Sequence, residues 1–130
     1  MRKLLFSIFI LCSFIFNVHA QKSDAIYKVV DVKPVFQYIC CNNTNDCILE
    51  YFKTHAKWPT DDDIQGTIYI QCVVEKNGKL STFKVIRGLD PRYDSVSVHV
   101  LKAMPVWKPG KKNGKIVRTE IVVPARWQLY

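Results

Sequence analysis

The stretch GTIYIQCVVEKNGKLSTFKVIRG, residues 66–88, decides the fold. Two β-rich runs flank Asn77-Gly78. Both central positions of a type I′ turn need φ > 0, which Asn and Gly tolerate best, so the dipeptide predicts a two-residue hairpin turn. In the first run Ile68, Ile70, Cys72 and Val74 share one face, and Tyr69 and Val73 make the other face apolar too. That pattern predicts a strand covered on both faces or lying mid-sheet. In the second run Leu80, Thr82, Lys84 and Ile86 alternate with Ser81, Phe83, Val85 and Arg87, as in a half-exposed strand. Two strands alone are marginal in water, so the flanking chain must pack onto them.

Toward the C-terminus, Asp90 caps a helix and Pro91 suits its first position. Val96, Val98 and Val100 alternate as a strand would, but Tyr93, Ser97, Val100, Leu101 and Met104 fit one helical face. The cap and the stop at Pro105 favour a helix over residues 92–104. Residues 107–114 form a Pro/Gly/Lys loop. Residues 116–130 form the last strand, with Val117, Thr119, Ile121, Val123, Ala125, Trp127 and Leu129 on its inner face. Proline cannot donate to a ladder, so Pro124 predicts an edge strand.

Toward the N-terminus, Trp58-Pro59 stops an earlier helix spanning about residues 46–56, capped by Thr44, Asn45 or Asp46. Ile48, Tyr51, Phe52 and His55 give it one inward stripe. Residues 21–33, including AIYKVVDV at 25–32, read as an extended lead-in. Arg2, Lys3, the apolar stretch 4–16, and Val18 and Ala20 before Gln21 predict a secretory signal peptide over residues 1–20. The element order predicts an α+β domain over residues 34–130: a three-stranded antiparallel sheet with two helices packed on one face.

Removing Arg2 and Lys3 with the signal leaves 110 residues, one domain's worth, and takes the formal charge from +8 to +6. Lys108, Lys111, Lys112, Lys115 and Arg118 cluster, and read as a solvated loop or, alternatively, as an adaptor for anionic envelope polymers. Nucleic acid is not expected as a partner. The exported cysteines are Cys40, Cys41, Cys47 and Cys72. Their even number in an exported chain argues for disulfides. Direct Cys40–Cys41 pairing is sterically poor. One of that pair then bridges Cys47 and the other Cys72, or Cys72 remains a free buried hydrophobe. Cys40, Cys41, Cys47 and His55 match no common zinc spacing, and Asp61, Asp62 and Asp63 lack a calcium-loop pattern, so neither a metal nor another cofactor is expected. No Ser/His/Asp set, paired-acid motif or phosphate loop points to an enzyme.

Four blocks carry a resemblance to the C-terminal domain of the TonB energy-transducer family. They are IQGTIYIQCVVEKNGKL (64–80), VIRGLDPRYD (85–94), MPVWKPGKKNGKIV (104–117) and VPARWQL (123–129). Trp58-Pro59 is similar to the aromatic-Pro pair that follows the family's first helix. The resemblance covers residues 34–130 and implies a periplasmic module. It implies binding of a short receptor segment, the TonB box, by strand addition to the last strand. The corresponding residues are Arg118, Thr119, Glu120, Ile121 and Val122, followed by Val123, Pro124, Ala125 and Arg126. Independently of the resemblance, an edge strand presents unpaired N–H and C=O groups as a template for an added strand. Outer-membrane receptor segments are thus the expected partners, with an inner-membrane energising complex and an edge-to-edge homodimer as further ones. A full transducer has an uncleaved anchor and a Pro-rich spacer. This sequence shows neither, which favours a stand-alone module over an anchored transducer that retains its N-terminal segment. A Cys-containing stretch, residues 38–45, stands where the family usually places a glycine pair.

Overall fold

The computed structural model describes residues 25–39, 41–61 and 63–129. Residues 1–24, which include the expected signal peptide, and Cys40, Asp62 and Tyr130 lie outside the described residues. The elements run β1 (Ile26–Tyr27), α1 (Thr44–His55), β2 (Gly66–Val74), β3 (Leu80–Arg87), α2 (Pro91–Lys102), β4 (Lys111–Lys112), β5 (Lys115–Ile116) and β6 (Arg118–Trp127).

The hairpin forms as the opening stretch predicts, but its turn differs. Gly78 N donates to Glu75 O and Glu75 N to Lys79 O, both at 2.8 Å. Among the turn residues only Gly78 has positive φ, at 82°. The loop is therefore the three-residue Lys76-Asn77-Gly78 with glycine in the left-handed position, and not a type I′ pair. Asn77 acts through its side chain, whose Oδ1 accepts from Lys79 N at 3.0 Å.

The main sheet has the order β1-β6-β2-β3. β2 and β6 pair antiparallel without interruption from Gly66↔Trp127 to Val74↔Thr119. This places the doubly apolar strand mid-sheet, as its pattern implies. The expected three strands become four because the lead-in contributes β1, parallel to β6 through Ile26↔Arg118 and Tyr27↔Thr119. Its β-branched residues suit extension, but only two residues reach the ladder before the chain bends away. The expected loop at 107–114 also contains structure. β4 and β5 form a small ladder, and Val32↔Lys111 and Val35↔Lys108 bridge it to the lead-in.

Directly paired residues share a face. Ile68, Ile70, Cys72 and Val74 therefore lie with Ala125, Val123, Ile121 and Thr119 on the helix side. Both helices close that side in one core. α1 supplies Cys47, Ile48, Tyr51 and Phe52, and α2 supplies Tyr93, Val100 and Leu101. α1 is capped by Asn43, one residue before the expected candidates, whose Oδ1 accepts from Asp46 N at 3.0 Å. His55 ends α1, stacked on Tyr51 at 4.0 Å with Nδ1 2.9 Å from the Tyr51 carbonyl. α2 starts at Pro91 behind an Asp90 cap, so the helical reading prevails over the valine alternation. The buried Ser97 hydroxyl donates to Tyr93 O at 2.8 Å and accepts from Trp127 Nε1 at 2.9 Å. That junction fixes the end of β6 against α2.

Cys41 and Cys47 form a disulfide, one of the expected pairings. Cys72 is a free thiol at 0% exposure, so the Cys72 bridge does not form. Its side chain points into the core between β2 and the helices, and burial pushes its pKa up to about 12. No described helix is long and apolar enough to cross a membrane.

Candidate functional site

β6 is the element on which the sequence concentrates its candidate residues, and the structure divides them. Arg118 and Thr119 are already paired with β1. From Glu120 to Arg126, no described strand lies on the outer side of β6. The usable edge is therefore shorter than residues 118–126. Side chains of Thr119, Val123 and Ala125 are buried on the helix side, whereas Val122 is 49% exposed on the other.

Pro124 orients the backbone along this edge. It sits inside an unbroken ladder opposite Tyr69. A proline fits there when its nitrogen faces away from the partner strand. By alternation, the backbone N–H and C=O groups of Glu120, Val122 and Arg126 then face outward with it. The parallel Tyr27↔Thr119 pair engages the outward Glu120 N–H, which leaves Val122 and Arg126 as free donors on either side of Pro124.

A groove accompanies the edge. Its widest part, about 950 Å³, lies beside Thr119–Val122 and is walled by the lead-in at Val29, Val30 and Val35. Asn43, Thr44 and Ile48 at the start of α1 form the facing wall. Farther along β6, Asn45, Asp46 and Leu49 face Pro124 and Arg126 across a depression of about 340 Å³. Phe52, Lys53 and Ala56 then face Arg126 and Trp127. Residues 45, 49, 52, 53 and 56 recur at helical spacing, so one stripe of α1 follows the edge. The walls are mainly apolar. The groove's charges include Lys28, 3.8 Å from Glu120, and Lys33.

The Cys41–Cys47 disulfide encloses Asn43, Thr44 and Asn45, so it ties down the helical wall of the groove. At the other end, Arg118 Nε and Nη2 donate to Glu75 Oε2 and Oε1 at 2.7 and 3.0 Å. That pair anchors the start of β6 to the hairpin turn.

The opposite sheet edge, β3, is built differently. Its pairing with β2 has register shifts at Tyr69/Ile70 and Gln71/Val73, and Thr82 has φ of 55°. Bulges and an exposed lysine such as Lys84 are devices that discourage another strand from adding. β6 is straight and continuously paired instead. The sequence singles out β6 as a candidate but not the groove walls. The valines of AIYKVVDV were the available signal, and their role depends on a tertiary approach that periodicity does not encode.

The fold keeps Lys111, Lys112 and Lys115 together on the β4–β5 ladder, but two members of the basic cluster have other partners. Arg118 is committed to Glu75, and Lys112 lies 4.8 Å from the Tyr27 ring centre. Among the described residues no group of three or more His, Cys, Asp or Glu side chains could hold a metal ion.

Together the fold and edge define a small two-layer α+β domain with one guarded and one open sheet edge. The family described as the Gram-negative bacterial TonB protein C-terminal matches residues 60–129, more than half of the chain. The chain belongs to that family, which is linked to TonB-dependent transport. The match begins after α1, so the helical groove wall and its disulfide precede it. No curated protein and no solved structure matches the chain.

Proposed function

We propose that the protein is a periplasmic binding module that captures an extended segment of an outer-membrane receptor by strand addition. The added strand pairs with β6 over Glu120–Arg126. The carrying observation is the outer edge of β6, unpaired among the described residues, beside an apolar groove, opposite an edge whose bulges oppose pairing. Main-chain bonds supply affinity, and alternate side chains entering the groove supply selectivity. An exported location is supported by the signal-like residues 1–20 and by the Cys41–Cys47 disulfide, which suits an oxidising compartment. In this reading the domain binds and does not catalyse.

Titration of the exported protein with a synthetic receptor N-terminal peptide tests the reading. Amide resonances of Val122 and Arg126 should move, with little change along β3. Movement confined to β3 or to the β4–β5 ladder would refute it. N-terminal sequencing of the mature protein, expected to begin at Gln21, tests export.

A further inference from the structure

The two helices cover one face of the sheet, and the other face carries its own pattern. At its centre Tyr69 is 37% and Val122 49% exposed, with half-buried Pro124 paired to Tyr69. Arg87 pairs with Tyr69, and Lys84 with Gln71. Arg126 pairs with Thr67. Directly paired side chains share a face, so these three cations surround the apolar centre. Neighbouring strands lie about 4.8 Å apart and residues rise about 3.4 Å along each, which puts the backbone of Arg126 roughly 12 Å from that of Arg87 and roughly 17 Å from that of Lys84 across β2. Lys84, Arg87 and Arg126 are exposed and form no ion pair among the described residues. Of the acids near this face, Glu120 is occupied by Lys28 at 3.8 Å and Glu75 by Arg118 at 2.7 Å, and Asp46, which lines the depression beside Tyr69, Pro124 and Arg126, accepts from Asn43 Nδ2 at 2.7 Å. This cluster draws on two strands far apart in sequence and shares no residue with the Lys108–Lys115 run.

We propose that this face docks an acidic protein segment. An apolar or aromatic side chain of the partner rests on Tyr69, Val122 and Pro124, and flanking carboxylates reach Arg87, Lys84 and Arg126. Charge complementarity sets the sign of the partner. The mixed character of the face sets its class. Tyrosine and arginine are the residue types enriched where proteins bind proteins, and guanidinium forks match carboxylates in two-point contacts. A reader of bare polyanion needs the cations without the apolar centre. The face shares Val122, Pro124 and Arg126 with the border of the groove but uses none of the outward amides of β6, so Lys84 and Arg87 on β3 are the residues that distinguish it from strand addition.

The probe is a glutamate-rich synthetic peptide with one central tryptophan, titrated into the exported chain and followed by amide chemical shifts. Shifts are expected at Thr67, Tyr69, Gln71, Lys84 and Arg87, weakening as salt is raised. Arg87→Ala and Arg126→Ala should each weaken binding about three- to fivefold, the size of an exposed charge pair. Tyr69→Ala should abolish the preference for the tryptophan peptide over its serine counterpart. These side chains are exposed, and circular dichroism verifies that each variant folds. Shifts at Lys84 and Arg87 separate this binding from strand addition, which should move the Val122 and Arg126 amides with little change along β3. Three results would overturn it: no binding, shifts confined to Lys108–Lys115, or equal binding of dextran sulfate that Tyr69→Ala does not affect.

Discussion

Arg118 grips Glu75 through two hydrogen bonds, Nε to Oε2 at 2.7 Å and Nη2 to Oε1 at 3.0 Å. The pair joins the first residue of β6 to the residue that follows β2, so the candidate edge is anchored where the lead-in strand leaves it. The Arg118 hydrogen bond holds the Glu75 carboxyl below its ordinary value of 4.5, against partial desolvation and with help from the Ser81 hydroxyl and the Arg118 charge. A depressed folded value means the stabilisation is fully present above the ordinary value and is lost as pH falls through the folded one. Glu75→Gln should cost up to about 1 kcal/mol at neutral pH and flatten the acid limb of stability against pH in urea unfolding. An unchanged acid limb would mean that the pair contributes nothing.

Ser97 and Trp127 make a second testable junction. Trp127 is 2% exposed, and its indole N–H donates to the Ser97 hydroxyl at 2.9 Å. Ser97→Ala leaves that donor buried without a partner and should cost about 1–3 kcal/mol. Trp127→Ala removes the ring from between Phe52, Trp58 and Tyr93 and should cost about 3–5 kcal/mol. Chemical denaturation of both variants checks the order.

Cys72 should be inert in the folded protein. It is buried, and its pKa is raised to about 12 by that burial. Its neutral thiol is favoured by folding, a contribution fully present below the unfolded value and lost as pH rises through about 12. Iodoacetamide near pH 8 should label Cys72 only as fast as the chain opens globally. Rapid labelling of Cys72 in native buffer would contradict the burial.

The Cys41–Cys47 bridge closes a short loop, with a sequence separation of 6. The chain-entropy model assigns such a loop about 2 kcal/mol. Cys41→Ser with Cys47→Ser should lose about that much stability. Because the loop holds Asn43, Thr44 and Asn45 against the groove, the double variant should also bind a receptor peptide more weakly. Thermal unfolding and peptide titration on the same sample measure the two effects.

Much of the fold was legible because the deciding signals are local. The hairpin announced itself through Asn77-Gly78 and alternating apolar residues. Asp90-Pro91 marked the start of α2, and Pro124 marked an edge. What stayed hidden depends on distant approach. Asn77-Gly78 suggests a type I′ turn, but the strands close around Lys76-Asn77-Gly78, a choice made by the bond between Gly78 N and Glu75 O. β1 has only two residues, too short for a period to show, and it exists because β6 offers an edge. The groove needs α1 to lie along β6, and the Arg87, Lys84 and Arg126 cluster needs three strands in register. The cysteine spacing left the Cys72 bridge open, whereas the fold points that thiol into the core, away from solvent.

In the proposed mode an extended segment adds to β6 and not to β3. The most direct measurement compares receptor-peptide affinity of the parent with Val122→Pro on β6 and Val85→Pro on β3, each verified as folded. Gln71 turns its backbone groups to Lys84 and Ile70 turns its own to β6, so Val85, opposite Ile70, has the outward N–H on β3. Val122→Pro removes an outward N–H from the proposed ladder and should weaken binding at least about tenfold, whereas Val85→Pro should leave affinity within about twofold. Unchanged affinity in Val122→Pro, or a loss found only in Val85→Pro, would contradict strand addition at β6.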